Sequence, residues 1–139
     1  YINSNVIKTS EKSGLYVRTT SVDSIRKNTI KDNDSTGITV TSKSIIEKIS
    51  SNNIYRNANG IYVNGKSSIS NITSNTLNKN GKYGIKVMEK KTTVTNIRNN
   101  TIKNATKAGV YVKKAKTLKG GKLKKLNTYK SCEKKVVKK

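Results

Sequence analysis

The chain has no histidine, tryptophan, phenylalanine or proline, only one cysteine, and only seven acidic residues in 139. Each shortage excludes something. Without His there is no imidazole base and no imidazole metal ligand, so Ser–His and Cys–His catalysis are ruled out. The single thiol, Cys132, cannot form an internal disulfide. It reads as a spare structural thiol, with an intermolecular partner as the other reading. No run is apolar and long enough to cross a bilayer as a helix. Hydrophobic residues make up 32% and aromatics 5%, every aromatic being Tyr. Those are too few bulky side chains for the wide core of a compact globule.

What is present is mostly Ile, Val, Asn, Ser, Thr, Gly and Lys. Such a polar mix borders on the composition of disordered chains. The regular spacing of the β-branched residues argues against disorder, because Ile and Val suit strands. The formal charge is +23, from 30 Lys and Arg against 7 acids. That balance favours polyanionic partners: acidic polysaccharide, cell-wall polymer, nucleic acid or an anionic membrane surface. The plain alternative is a solubilising surface.

Internal repetition is strong. Ile2, Asn5 and Ile7 recur as Ile25, Asn28 and Ile30, then Ile49, Asn52 and Ile54, then Ile72, Asn75 and Leu77, then Ile97, Asn100 and Ile102, at steps of 23–25 residues. After each comes a second phrase: Gly14-Leu15-Tyr16-Val17, Gly37-Ile38-Thr39-Val40, Gly60-Ile61-Tyr62-Val63, Gly84-Ile85-Lys86-Val87 and Gly109-Val110-Tyr111-Val112. Val22, Ile46, Ile69 and Val94 precede the first phrase by three residues, and Asn33, Asn57 and Asn80 stand between the two. In the Gly phrase two β-branched residues point inward and one outward. The Gly is expected to supply a positive φ at the turn into that strand. Asn5, Asn28, Asn52, Asn75 and Asn100 are expected to tolerate the left-handed conformation at one corner and to form a stacked side-chain ladder. Three short strands per repeat leave little room for helix. A leucine-rich repeat would need a helical half, and a left-handed β-helix would show six-residue periodicity.

The pattern resembles the repeats of the pectin-lyase-like superfamily over residues 2–112. The resemblance implies an all-β, right-handed parallel β-helix of about five turns, a narrow solenoid stacked turn on turn. The chain opens inside a repeat, so the expectation is a fragment lacking N-terminal turns. Residues 113–139 hold 12 Lys and one Glu. Within them, Leu123 and Leu126 echo the third strand, and Asn127-Thr128-Tyr129 echoes the Asn-Thr-Ile phrase. This predicts a degenerate last turn at 118–130, bent at Gly120-Gly121, and a tail that is a surface strand or frayed.

Enzymes of the resembling superfamily use clustered Asp residues, or acid-bound Ca²⁺ with a Lys or Arg base. Here the register puts Asp23 and Glu47 in one column, about 4.8 Å apart, with Lys48 beside them as a conceivable base. Asp32 and Asp34 form a local pair, the only metal candidates. No three-acid cluster emerges, so the reading leans away from catalysis, with no cofactor, and Ca²⁺ only if the parent protein is a lyase. The register also lines up Tyr16, Thr39, Tyr62, Lys86 and Tyr111, flanked by Arg18 and Lys113. Tyrosines on alternate turns stand about 10 Å apart, two strand spacings, comparable to a disaccharide repeat. Their rings offer faces for sugars, and the cations suit carboxylate or sulfate. The preferred expectation is a secreted or surface β-helix binding an acidic polysaccharide or cell-wall polymer. The alternatives are a lyase or hydrolase fragment and a ligand-free stalk. No nucleic-acid module is recognisable. The outward Thr29, Thr76 and Thr101 are too interrupted for an ice-binding face.

Overall fold

A computed structural model describes all residues, 1–139. The first turn holds β1 (Ile2–Asn3), β2 (Val6–Lys8) and β3 (Leu15–Arg18). The second holds β4 (Ser21–Arg26), β5 (Thr29–Lys31) and β6 (Thr36–Thr41). The third holds β7 (Ile45–Ser50), β8 (Asn53–Tyr55) and β9 (Asn59–Val63). β10 (Ser68–Thr73), β11 (Thr76–Asn78) and β12 (Tyr83–Met88) make the fourth, and β13 (Thr93–Arg98), β14 (Thr101–Lys103) and β15 (Ala108–Lys113) the fifth. In the sixth, α1 (Gly120–Lys125) stands where a strand is due, before β16 (Thr128–Lys130) and β17 (Val136–Lys138).

Every third strand pairs in parallel, giving three sheets. Sheet A stacks β1, β4, β7, β10 and β13. Sheet B runs from β2 to β16, and sheet C from β3 to β17. Inward residues form continuous columns, such as Ile25, Ile49, Ile72 and Ile97 on sheet A and Ile30, Ile54, Leu77 and Ile102 on sheet B. The columns merge into one buried cluster of 21 apolar residues. Medium-sized, mostly β-branched side chains suffice to fill so narrow a column, which is why the chain needs no Phe or Trp.

The strand-opening glycines do different work from that expected, and the left-handed conformation expected at each corner Asn falls on its neighbour. Gly65 is the only glycine with positive φ. At the strand-opening glycines the constraint is space. A Cβ on Gly37 would sit 2.5 Å from the Ile54 side chain and 2.8 Å from the carbonyl oxygen of Gly60. The left-handed residue is the one before each corner Asn: Ser4, Lys27, Ser51, Ser74 and Asn99.

Each corner Asn instead faces inward and ties turns together. Asn52 Nδ2 donates to Asn75 Oδ1 at 2.9 Å and to the Ile25 carbonyl at 2.9 Å, and its backbone N–H donates to the same Oδ1 at 3.0 Å. The pattern repeats from Asn5 through Asn28, Asn52, Asn75 and Asn100 to Asn127. A shorter ladder links Asn33, Asn57 and Asn80. Buried amides are costly unless every donor and acceptor is used, and an interior rung uses both Nδ2 hydrogens and both Oδ1 lone pairs.

The Leu123 and Leu126 echo does not make a strand. Lys116 begins the sixth rung of sheet A with a bridge to Thr93, and the chain then winds into α1. Lys and Leu are good helix formers, and the helix drops Leu123, fully buried, onto the core column. Its free carbonyl, one of the orphans at a helix C-terminus, accepts from Asn127 Nδ2 at 3.0 Å and from the Tyr129 hydroxyl at 2.9 Å. Burial raises the Tyr129 pKa above its ordinary value, the Cys132 thiol adding to the effect. The final segment is a strand: β17 pairs with β15.

Candidate functional site

Sheet C turns its outer face to solvent, and its register aligns Tyr16, Thr39, Tyr62, Lys86 and Tyr111 in one column. Arg18 lies beside it opposite Thr41, and Lys113 opposite Met88. The column is not uniform. Thr39 is nearly buried, and its hydroxyl shares a hydrogen bond of 2.9 Å with Ser13 Oγ. It separates the exposed Tyr16 from the rest.

The chemistry gathers on turns three to five. Lys86 Nζ lies 4.9 Å from the centre of the Tyr62 ring and 5.4 Å from that of Tyr83. The Tyr83 and Tyr111 rings meet at 4.9 Å, tilted by 40°. Asn64 steadies Tyr62 by donating to its hydroxyl at 3.0 Å. An ammonium between two aromatic faces is attracted by both ring quadrupoles. Lys86 is also partly desolvated, and this, with Lys82 and Lys107 nearby, lowers its pKa from the ordinary lysine value. An anion beside Lys86 would offset the repulsion from Lys82 and Lys107. Beside the rings is a cleft of about 250 Å³ lined by Tyr83, Tyr111, Lys107, Lys134, Lys139 and Glu133, among others. The sequence motif omits Tyr83, which precedes Gly84 and so lies outside the Gly-Ile-x-Val phrase. Lys134 and Lys139 arrive only because β17 adds to the sheet.

The acidic candidates are dispersed. On sheet A, the pairs Val22 with Ile46 and Ser24 with Lys48 fix Asp23 and Glu47 in adjacent rungs. With Tyr1, Ser24 and Lys48 they line a depression of about 420 Å³. No group of three acidic or sulfur side chains converges anywhere. Asp32 is engaged elsewhere: Arg56 donates to its two oxygens from Nε at 2.5 Å and from Nη2 at 2.8 Å. That hydrogen bonding holds the Asp32 pKa below the ordinary carboxylate value and raises that of Arg56. Asp34 is exposed and not part of this pair. A further cleft of about 360 Å³ opens at the corner between sheets C and A, where Gly65 leaves room between Ser42 and Glu89.

The sequence pattern of the family described as right handed beta helix region matches residues 1–122. The chain belongs to that family. The match covers all five regular turns of the β-helix and enters the helical sixth. No curated protein and no solved structure matches the chain. Family membership therefore establishes the solenoid, and a solenoid hosts many functions. No helix of the β-helix is long and apolar enough to cross a membrane.

Proposed function

We propose that this β-helix binds an acidic polysaccharide or cell-wall polymer on the outer face of sheet C, in a secreted or surface setting. The carrying observation is Lys86 held between Tyr62 and Tyr83, with Tyr111 against Tyr83. Aromatic faces suit the apolar side of a sugar ring. The partly desolvated ammonium suits the carboxylate or sulfate that an acidic sugar carries, as a charge-assisted partner. Arg18 and Lys113 extend the same face along the solenoid axis, and a polymer lying along that axis meets one rung about every 4.8 Å. The test is calorimetric titration with oligogalacturonate, with a glycan array alongside. Tyr62→Ala and Lys86→Gln are each expected to weaken binding by roughly tenfold, about 1.4 kcal/mol. No binding, or binding indifferent to both changes, overturns the reading.

A second reading, a polysaccharide lyase or hydrolase, has one observation in its favour: Asp23, Glu47 and Lys48 share a depression on sheet A. Its test on polygalacturonate, with and without Ca²⁺, is the absorbance of unsaturated uronate for a lyase and the appearance of new reducing ends for a hydrolase. The signal must vanish when Asp23 and Glu47 are both changed to Ala.

A further inference from the structure

Sheet B presents a different pattern. Its outward positions and the corner that follows supply one cation in every turn: Lys8, Lys31, Arg56, Lys79, Lys103 and Lys130. Several are direct register partners, Lys8 with Lys31 and Lys103 with Lys130. Like charges stacked on neighbouring strands repel, so the row is a standing electrostatic cost on the fold. The one acid in these positions, Asp32, is held by Arg56 and lies 4.0 Å from Lys31. Tyr55 supports the same pair of cations, with Arg56 at 4.9 Å and Lys31 at 5.7 Å from its ring centre. The rest of the row has no anionic partner in the chain. Beside it runs a second outward column that opens on the exposed Val6 and continues in short polar side chains, Thr29, Asn53, Thr76, Thr101 and Thr128. That column is a level, hydroxyl-rich floor along which an extended polymer can lie close to the backbone.

We infer that the outer face of sheet B is a second binding track, for a linear acidic glycan with one carboxylate per sugar. Each turn supplies one cation, about 4.8 Å along the axis from the next. It stands on the strand in turns one, two, five and six, and one residue further, at the corner, in turns three and four, where Tyr55 and Asn78 hold the strand position. The tyrosines of sheet C recur only at every second turn. The two faces therefore fit different charge spacings. They belong to different walls of the solenoid, so one straight polymer along the axis cannot occupy both. If sheet C binds as proposed above, on which this consequence rests, one protein joins two polymer chains.

The experiment uses polygalacturonate and the full chain, reading affinity by titration and bridging by turbidity. A sheet B variant changes Lys8, Lys31, Lys103 and Lys130 to Gln. A control with the same loss of charge changes Lys119, Lys122, Lys124 and Lys125 to Gln. A sheet C variant combines Tyr62→Ala and Lys86→Gln. The sheet B variant is expected to lose turbidity and about tenfold or more in total affinity at low salt, and the control to stay within about twofold of the unchanged chain. Equal losses in the sheet B variant and the control overturn the track, because net charge alone then explains binding. A sheet B variant that binds and bridges like the unchanged chain overturns it too. If the sheet C variant binds undiminished while the sheet B variant does not, the track stands and the sheet C reading falls.

Discussion

Asn52 donates twice to a single atom of Asn75: its backbone N–H and its side-chain amide both end on Asn75 Oδ1, at 3.0 and 2.9 Å. The two residues lie one turn apart and both are buried. Replacing Asn75 by Ala leaves those two donors without an acceptor and strips a donor from Asn100 Oδ1 and from the Ile49 carbonyl. Each buried group left unpaired costs about 1–3 kcal/mol, so Asn75→Ala is expected to lose about 3–5 kcal/mol in urea unfolding. Asn75→Asp fares no better, since it keeps the acceptor but sets a carboxylate against two further oxygens. Asn5→Ala, at an exposed rung, is expected to lose under about 1 kcal/mol.

Gly60→Ala tests the crowding argument. The new methyl would press on the Gly84 carbonyl and lie 2.5 Å from the Leu77 side chain. Overpacking of this kind costs about 1–3 kcal/mol, read as a fall in Tm. Gly121→Ala meets nothing within 4 Å and sits in a helix, where Ala is favoured over Gly by about 1 kcal/mol. It is expected to raise Tm.

Leu123→Ala tests the helix as a plug on the core column. Leu123 is fully buried, and truncations of this kind cost about 2–5 kcal/mol. Hydrogen exchange should show the loss concentrated in β13–β17, with the first turns still protected.

The affinity of the sheet C face should fall at alkaline pH sooner than an ordinary lysine would cause. In the proposed binding mode the protonated form of Lys86 would hold the anion, and desolvation lowers its pKa. Charge is therefore lost below the usual lysine range, and binding declines as pH rises through that lowered value. The sign for folding is the reverse: the fold disfavours the charged form, a small penalty relieved as pH rises. Titrations from neutral pH upward, with Lys86→Gln as a variant that lacks this decline, check the assignment.

The period of the solenoid is legible because inward Ile and Val recur in step with an Asn at the same corner of every turn. The recurrence of Asn implies a ladder at Asn75 but not its conformation: the left-handed φ falls on Ser74, a residue type with no signature of its own. A Gly reads the same in sequence whether φ or space requires it, and Gly60 needs space. Leu123 and Leu126 were ambiguous because a three-residue apolar step fits a strand echo and a helix turn alike. Tyr83 carries no signal in the sequence because its contact with Tyr111 joins adjacent turns and depends on where each ring swings, which no linear pattern states. The sheet B row was visible only once Arg56 and Lys79, at the corner, were seen beside Lys31 and Lys103 on the strands.

The Asn ladder also has a direction. From Asn5 to Asn127 each rung offers its amide hydrogen to the carbonyl oxygen of the following turn. Every side-chain carbonyl therefore points back toward the first turn. Dipoles aligned head to tail add, as peptide dipoles do along a helix. The β-helix thus carries an internal electrical axis, negative toward Asn5 and positive toward Asn127, where the Leu123 carbonyl receives the last hydrogen. The two ends of the solenoid are therefore electrically unlike, whatever lies along its outer walls.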